Sequence, residues 1–301
     1  MAKESVRLGT VQETLLIPLY GRALDAKARR PILRDDRART MVESIDYDFA
    51  KFRGPSLGGS VLRSAIFDGW VARFLAEHPD GTVIELGAGL STRSHRLDNG
   101  RARWFDLDLP DTVQLRRRFF TDSERTTTLA ASVLDTDWFE QVARTGGPYF
   151  FVSEAVLLYF REEQVRSVVR ALAGRFPGAC LSFDTGGGAM MRNQDRNPVF
   201  KAVDARMTWT CDDPKSLEDW GLRLRESRTF ATPQPDVGRT WPRRHRYGMP
   251  LLARLVPPAV DSYRMNLFSL EKAECDAPTD RRPHLLALIC CPACHTAHSR
   301  A

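Results

Sequence analysis

The 301-residue chain is 43% hydrophobic and 27% charged, with 20 Gly and 18 Pro; this is the balance of an ordinary globular protein with a sizeable core, and it excludes collagen-like, coiled-coil and disordered classes. Forty-four Lys and Arg stand against 38 Asp and Glu, a net charge of +6. The basic residues fall in scattered groups (Arg29-Arg30, Arg116-Arg117-Arg118, Arg243-Arg244) with acids between them, not in the stripe or tail that tracks phosphates, so no nucleic-acid partner is expected and a small anionic substrate fits the excess.

In chain order, the opening Met1-Ala2-Lys3-Glu4-Ser5-Val6-Arg7 lacks the apolar stretch of a signal peptide. No later run reaches the about 18 apolar residues of a membrane span. A cytoplasmic location and no membrane partner are therefore expected. Residues 10 to about 73 read as mostly helical, broken at Pro18, Pro31 and the loop Gly54-Pro55-Ser56-Leu57-Gly58-Gly59. Within them Leu62, Ile66, Val71 and Phe74-Leu75 recur near helical spacing, which predicts an amphipathic helix over 60–77. His78-Pro79-Asp80-Gly81 ends it. Short apolar runs at 82–86, 103–108, 127–133, 149–153 and 179–184 then alternate with helical segments, clearest at 162–176 where Val165, Val168, Val169 and Leu172 share a face. Such alternation predicts an α/β fold with a parallel, doubly wound sheet. Residues 190–209 read as a polar, partly helical insertion or lid, and 214–220 as a short helix. Late strands are expected at 222–230 and 262–270, with the Pro- and Arg-rich 232–258 an irregular excursion between them. Of six cysteines, Cys290, Cys291 and Cys294 crowd the end while Cys180, Cys211 and Cys275 are isolated, which is not a secreted disulfide framework.

Three signals carry chemistry. Ile84-Glu85-Leu86-Gly87-Ala88-Gly89 is a strand ending in Gly-x-Gly, which lets a ligand approach the backbone and the N–H groups of a following helix. Dinucleotide binders place a third glycine where this chain has Thr92. At the end of the next strand, Asp106 and Asp108 are each placed to accept hydrogen bonds from ribose hydroxyls. The pair of features marks an adenosine-containing cofactor without a pyrophosphate grip, or else a tight turn and a solvent-facing acid. Glu154 follows a central apolar strand, at the edge where ligands bind in open α/β sheets. A carboxylate between two apolar runs needs a partner, either a ligand ammonium group or Arg63 in a structural ion pair.

The motifs Val61-Leu62-Arg63-Ser64, Ile84-Glu85-Leu86-Gly87-Ala88-Gly89-Leu90-Ser91-Thr92-Arg93, Asp106-Leu107-Asp108-Leu109-Pro110 and Ser153-Glu154-Ala155-Val156-Leu157-Leu158-Tyr159-Phe160, in that order, resemble the leucine carboxyl methyltransferase superfamily. The opening Val11-Gln12-Glu13-Thr14-Leu15-Leu16-Ile17-Pro18-Leu19-Tyr20-Gly21-Arg22-Ala23 and the late Arg264-Met265-Asn266-Leu267-Phe268 resemble its tetracenomycin-type polyketide O-methyltransferase branch. The likeness covers about residues 8 to 272. It implies a class I S-adenosylmethionine-dependent fold, Rossmann-like, with a seven-stranded sheet whose last strand is antiparallel. The chain would divide into a helical cover (1–77), a methyltransferase domain (78–272) with an insertion about 190–210, and a Cys-rich tail (273–301). Carried over by position, Arg63 would bind the methionine carboxylate, Gly87 and Gly89 would form the turn beneath the cofactor, and Asp108 would hold the ribose. Ser132 and Val133 would frame the adenine, Glu154 would face the methionine end, and Tyr159 with Arg63 would lie near the acceptor carboxylate. The family usually has Asp where this chain has Ser91 and Gly where it has Ala155.

Methyl transfer from a sulfonium needs a nucleophile held in line, and positioning supplies much of the acceleration. A carboxylate, with a pKa of about 4, needs no general base, whereas a phenol, at about 10, would want one. His95 and His245 are the nearest candidates, weighed against surface or structural roles. The tail motif Cys290-Cys291-Pro292-Ala293-Cys294 resembles the first knuckle of small zinc ribbons. A structural zinc takes four ligands, the second Cys pair is missing, and Cys291, Cys294, His295 and His298 are joined by a very short loop, so no metal is expected. The reading is an O-methyltransferase acting on a small polyketide-like carboxyl or hydroxyl group, with an anionic or aromatic acceptor. Its rivals are a protein-directed C-terminal carboxyl methyltransferase, which needs an open groove, and a non-catalytic scaffold with an occluded pocket that binds a partner through the tail.

Overall fold

The computed structural model describes residues 4–6, 8–256 and 260–272. Helices α1 (Leu16–Ala26) and α2 (Asp36–Ser44) pack together, with a short parallel ribbon of β1 (Glu4–Ser5) and β2 (Ile45–Asp46) beside them. The long α3 (Ser56–Glu77) contacts α1 as well as the main sheet. It therefore buries residues around much of its circumference, Leu57 and Val61 as well as Ile66, Phe67 and Trp70. A Cβ at Gly21 would lie 2.6 Å from the Leu57 carbonyl oxygen, so only glycine permits α1 to cross α3 this closely. Helix α3 starts at Ser56, within the segment the sequence marks as a loop. Glycine in a helix interior costs about 1 kcal/mol, and the burial of Leu57 and Val61 in the turns around Gly58 and Gly59 offsets that cost.

Beyond α3 come β3 (Thr82–Leu86), α4 (Arg93–Arg96), β4 (Arg103–Asp108), α5 (Pro110–Arg116), β5 (Thr126–Ala130), α6 (Phe139–Ala143) and β6 (Tyr149–Ser153). They are followed by α7 (Glu162–Arg175), β7 (Cys180–Gly186), α8 (Gly188–Asn193), β8 (Leu222–Arg228), α9 (Pro235–Thr240), α10 (Arg243–Leu255) and β9 (Tyr263–Leu270). The seven strands β3 to β9 form one sheet in the order β5-β4-β3-β6-β7-β9-β8, parallel from β3 to β7, with β9 antiparallel to both neighbours. Every residue of β3 is buried, as expected of a parallel strand covered on both faces. Strand order reverses beside β3, which places a crevice beyond the carboxyl ends of β3, β4 and β6.

Several boundaries differ from the sequence expectation. β5 stops at Ala130 because the Ser132 amide leaves the ladder and donates to Asp135 Oδ2 (3.0 Å). β7 continues to Gly186, paired with Tyr263 of β9. The stretch 232–258 is not irregular: it contains α9 and α10. Pro235 sits in the first turn of α9, where its missing N–H is not needed. Pro250 lies inside α10, a helix that leaves Tyr247, Leu251, Leu252 and Leu255 exposed. The insertion at 190–209 is less polar in effect than in composition. Val199, Phe200, Val203, Met207 and Trp209 are buried, and the Thr208 and Trp209 amides both donate to the Leu158 carbonyl (2.8 and 3.2 Å).

Candidate cofactor and acceptor site

A cavity of about 1060 Å³ opens at the crevice beside β3. The turn after β3 forms one wall. Gly87 has φ +75° and Gly89 φ +50°, and a Cβ on Gly87 would lie 2.4 Å from Val156 Cγ2, so this position requires glycine for both conformation and space. Asp108, at the end of β4, lines the cavity and caps the same turn: its Oδ2 accepts from the Gly89 amide and its Oδ1 from the Leu109 amide, both 2.7 Å. Burial pushes its carboxyl above the usual range, against the pull of those amides. Asp106, the other acid of that motif, points elsewhere and pairs with Arg116 (2.5 Å). Ser132 and Val133, just past β5, line the same cavity, as do Arg63, Glu154 and Tyr159. Apart from Asp106, the candidate site residues singled out by motif are thus brought to one space.

Beneath them lies a charged lattice of which only the Arg63–Glu154 pair is foreseen from sequence. Arg93, with a side chain 1% exposed, donates to Asp68 (2.7 Å), to Glu85 and to Glu154 (2.5 Å). Glu154 also accepts from Arg63 Nε (2.9 Å) and Ser64 Oγ (2.7 Å). Burial alone would raise the Glu154 pKa, but the Arg63 and Arg93 charges, with the Ser64 hydroxyl, hold it down at about 2. The glycine turn is held by arginines from two helices, α1 and α5. Arg22 donates to Asp35 (2.9 Å) and to the Leu90 carbonyl (2.8 Å), while Arg116 Nη1 donates to the Gly89 and Ser91 carbonyls (each 2.9 Å). Thr92, which stands where a dinucleotide binder has its third glycine, donates to Asp35 Oδ2 (2.6 Å). Several of these partners lie far apart in sequence, Arg22 and Leu90 by 68 positions and Arg93 and Glu154 by 61, and no local spacing announces them.

Residues 16–173, more than half of the chain, match the sequence profile of the family described as leucine carboxyl methyltransferase. The chain belongs to this family. Among curated relatives of this leucine carboxyl methyltransferase family member is the tetracenomycin polyketide synthesis O-methyltransferase TcmP of Streptomyces glaucescens, 34% identical over 74% of this chain and 84% of that one. The S-adenosyl-L-methionine-dependent methyltransferase dpfgK of Gibberella zeae is 28% identical with the same coverage. Among solved structures, a DUF574 family protein from Streptomyces avermitilis superposes with a TM-score of 0.56 at 14% identity, covering 85% of this chain and 97% of that one. The protein is an S-adenosylmethionine-dependent methyltransferase with the class I fold.

Within this methyltransferase, burial raises the pKa of Tyr159, so the phenol stays protonated. Neither histidine lines the cavity. His95 packs on Phe120 (ring centroids 5.3 Å) and His245 lies beside Arg244 in a separate, smaller hollow. No group of three or more metal-ligating side chains occurs among the described residues, and none of the described helices is long and apolar enough to cross a membrane. The cysteine tail, including Cys291, Cys294, His295 and His298, lies outside the described residues.

Proposed function

We propose that this methyltransferase acts on oxygen, transferring a methyl group to a carboxyl or hydroxyl of a small polyketide-like acceptor, with an ionised aromatic carboxylate as the best fit. The observation that carries the reading is the cavity itself. At about 1060 Å³ it matches or exceeds the about 300–1000 Å³ of ordinary small-molecule pockets, which suits a cofactor and an acceptor side by side. Thr14 and Leu15 line it from the N-terminal segment, and Met190, Phe200 and Met207 from the insertion. That covered, largely apolar wall suits a planar small molecule better than a protein chain terminus. The relationship to TcmP supports the same acceptor class.

The cradle fits S-adenosylmethionine, which when bound supplies an electrophilic methyl group on a sulfonium. Gly87 and Gly89 leave the space a side chain would fill, Asp108 offers a carboxylate for ribose hydroxyls, and Ser132 and Val133 flank the adenine. Arg63 keeps its Nη2 without a hydrogen-bond partner among the described residues, free for the methionine carboxylate, with Glu154 fixed beside it. Tyr159, together with Arg63, orients the acceptor. The carboxylates that line the cavity are already engaged: Glu85 and Glu154 by arginines, Asp108 by backbone amides. A nucleophile that arrives ionised therefore suits the site, and the protein's work is alignment and exclusion of water.

The experiment is methyl transfer from labelled S-adenosylmethionine to matched aromatic acceptors, one bearing a free carboxyl and one with that carboxyl blocked as an ester beside free phenols. Label recovered as a base-labile ester on the free acid is expected. Transfer confined to the phenols, with a rate rising through the phenol pKa, would make the hydroxyl the true acceptor. Transfer to peptide C-termini in preference to either would replace this reading with the protein-directed one.

A further inference from the structure

Asp184 and Tyr263 belong to no motif described above, yet both adjoin the charged pair at the cavity: Tyr263 lines the cavity beside Arg63, and Asp184 lies behind it. Asp184 is in β7 and Tyr263 opens β9; the antiparallel register pairs Tyr263 with Gly186, two residues beyond Asp184. Asp184 is fully buried and Tyr263 nearly so. The Tyr263 hydroxyl donates to Asp184 Oδ2 and accepts from Arg63 Nη1 (3.1 Å). Arg63 Nη1 itself stands 3.9 Å from Asp184 Oδ2, too far for a hydrogen bond, so the hydroxyl is the physical link between the two. Both oxygens of Asp184 also accept from the Ala155 amide (2.9 and 3.1 Å). Ala155 follows Glu154 and has φ +56°, a left-handed conformation that residues with a Cβ seldom adopt. One buried carboxylate thus holds the residue beside Glu154 and, through Tyr263, a second anchor of Arg63.

We propose that Asp184 and Tyr263 are positioning residues that aim Arg63 at the carboxylate of the bound cofactor, an inference that rests on the assignment of Arg63 to that carboxylate. The guanidinium is planar, with its donors in a fixed fork. A single anchor, Nε on Glu154, leaves the plane free to swing about that contact. A second anchor, Nη1 on the Tyr263 hydroxyl, fixes the plane and with it the direction of the unengaged Nη2. Phenylalanine at 263 would fill the same space without the link. A carboxylate buried at 184 also has a reason to remain there: it accepts the hydrogen bond of the Tyr263 hydroxyl and sets the turn that carries Glu154.

The test is calorimetric titration of wild type, Tyr263→Phe, Asp184→Asn and Arg63→Ala with two ligands that differ by one group. These are S-adenosylhomocysteine and its decarboxylated analogue, 5′-(3-aminopropylthio)-5′-deoxyadenosine. Tyr263→Phe, the near-isosteric change, should weaken S-adenosylhomocysteine by about tenfold, the scale of one charge-assisted hydrogen bond, and leave the decarboxylated ligand within about twofold. Asp184→Asn should move both affinities in the same directions. A purely structural role would weaken the two ligands alike, and that result overturns the proposal. If Arg63→Ala loses selectivity for the carboxylate while Tyr263→Phe keeps it, the positioning claim falls and the Arg63 assignment stands. If Arg63→Ala itself keeps the selectivity, both fall together. Because the titration involves no acceptor, none of these outcomes depends on which group is methylated.

Discussion

Replacing Arg93 with Met should destabilise the protein by about 3–5 kcal/mol, the usual cost of breaking a buried ion pair by removing one partner. The structure shows where that cost falls. Glu154 would keep Arg63 and Ser64, and Asp68 would keep both hydrogen bonds from Arg96 Nη2 and one from its Nε. Glu85 would keep nothing: Arg93 is its hydrogen-bond partner, and its Oε2 is already buried without one. Burial already raises the Glu85 carboxyl above 4.5, and losing Arg93 would raise it further. An acid whose folded pKa lies above its unfolded value favours folding when protonated, so the damage should be small at low pH and grow as pH rises through the folded pKa. The assay is urea unfolding of wild type and Arg93→Met at pH 5 and pH 8, with the larger gap expected at pH 8. At about 2–4 °C per kcal/mol for a domain of roughly this size, the melting temperature should fall by roughly 6–20 °C at pH 8. Adding Glu85→Gln should recover a substantial part of the loss. A loss under about 1 kcal/mol at pH 8, or no recovery in the double variant, would refute the account.

Asp108→Ala should weaken S-adenosylmethionine binding by at least about tenfold through loss of the ribose acceptor; unchanged affinity by calorimetry would remove Asp108 from the cofactor site. Gly87→Ala should lose cofactor affinity and melt lower, because its Cβ would meet Val156 Cγ2 at 2.4 Å and its φ is +75°. Adding Val156→Ala should relieve only the contact, so partial recovery is expected from thermal melts of the pair. Glu154 contributes to acid stability in a defined window. Its pKa of about 2 in the fold against 4.5 otherwise makes its charged form worth about 3 kcal/mol. That contribution is complete above about pH 4.5 and is lost as pH falls towards 2. Glu154→Gln should flatten that limb of the stability–pH curve, and an unaltered acid limb would count against it. Treatment with a chelator should leave methyl transfer unchanged, and a loss restored by zinc would show that the Cys-rich tail binds metal.

The parallel strands were legible because each is a short apolar run between helical segments, and the hydrophobic period needs no tertiary knowledge. Thr82–Leu86, Arg103–Asp108 and Tyr149–Ser153 have the bounds the pattern predicts. Where proline and glycine interrupt that pattern, local rules misled. Gly58 and Gly59 lie inside α3, and Pro235 and Pro250 inside α9 and α10, since packing or position within a helix outweighs a residue's average preference. The site divides in the same way. Gly87, Gly89, Asp108 and Glu154 were readable because each follows directly from a strand end. Arg93, Arg22, Asp184 and Tyr263 were not, because their importance comes from partners 61, 68, 29 and 79 positions away respectively.

The overall charge was similarly ambiguous until the arginines could be placed. A net +6 suggests a surface for anions, yet Arg22, Arg93 and Arg116 are buried and Arg63 and Arg96 largely so. They hold Asp35, Asp68, Glu85, Glu154 and Asp106 around the glycine turn. An apolar core of the same volume would often be at least as stable, so stability alone is a poor reason for such a lattice. Its geometry offers a better one. Arg22 from α1 and Arg116 from α5 grip the carbonyls of Leu90, Gly89 and Ser91, which fixes a turn whose own glycines would otherwise leave it loose. Arg93 ties that turn's strand to Glu154, just past the end of the neighbouring strand β6. A turn pinned in this way would give the proposed cofactor site a wall that does not have to be ordered on binding, and a reaction that depends on in-line alignment gains directly from that.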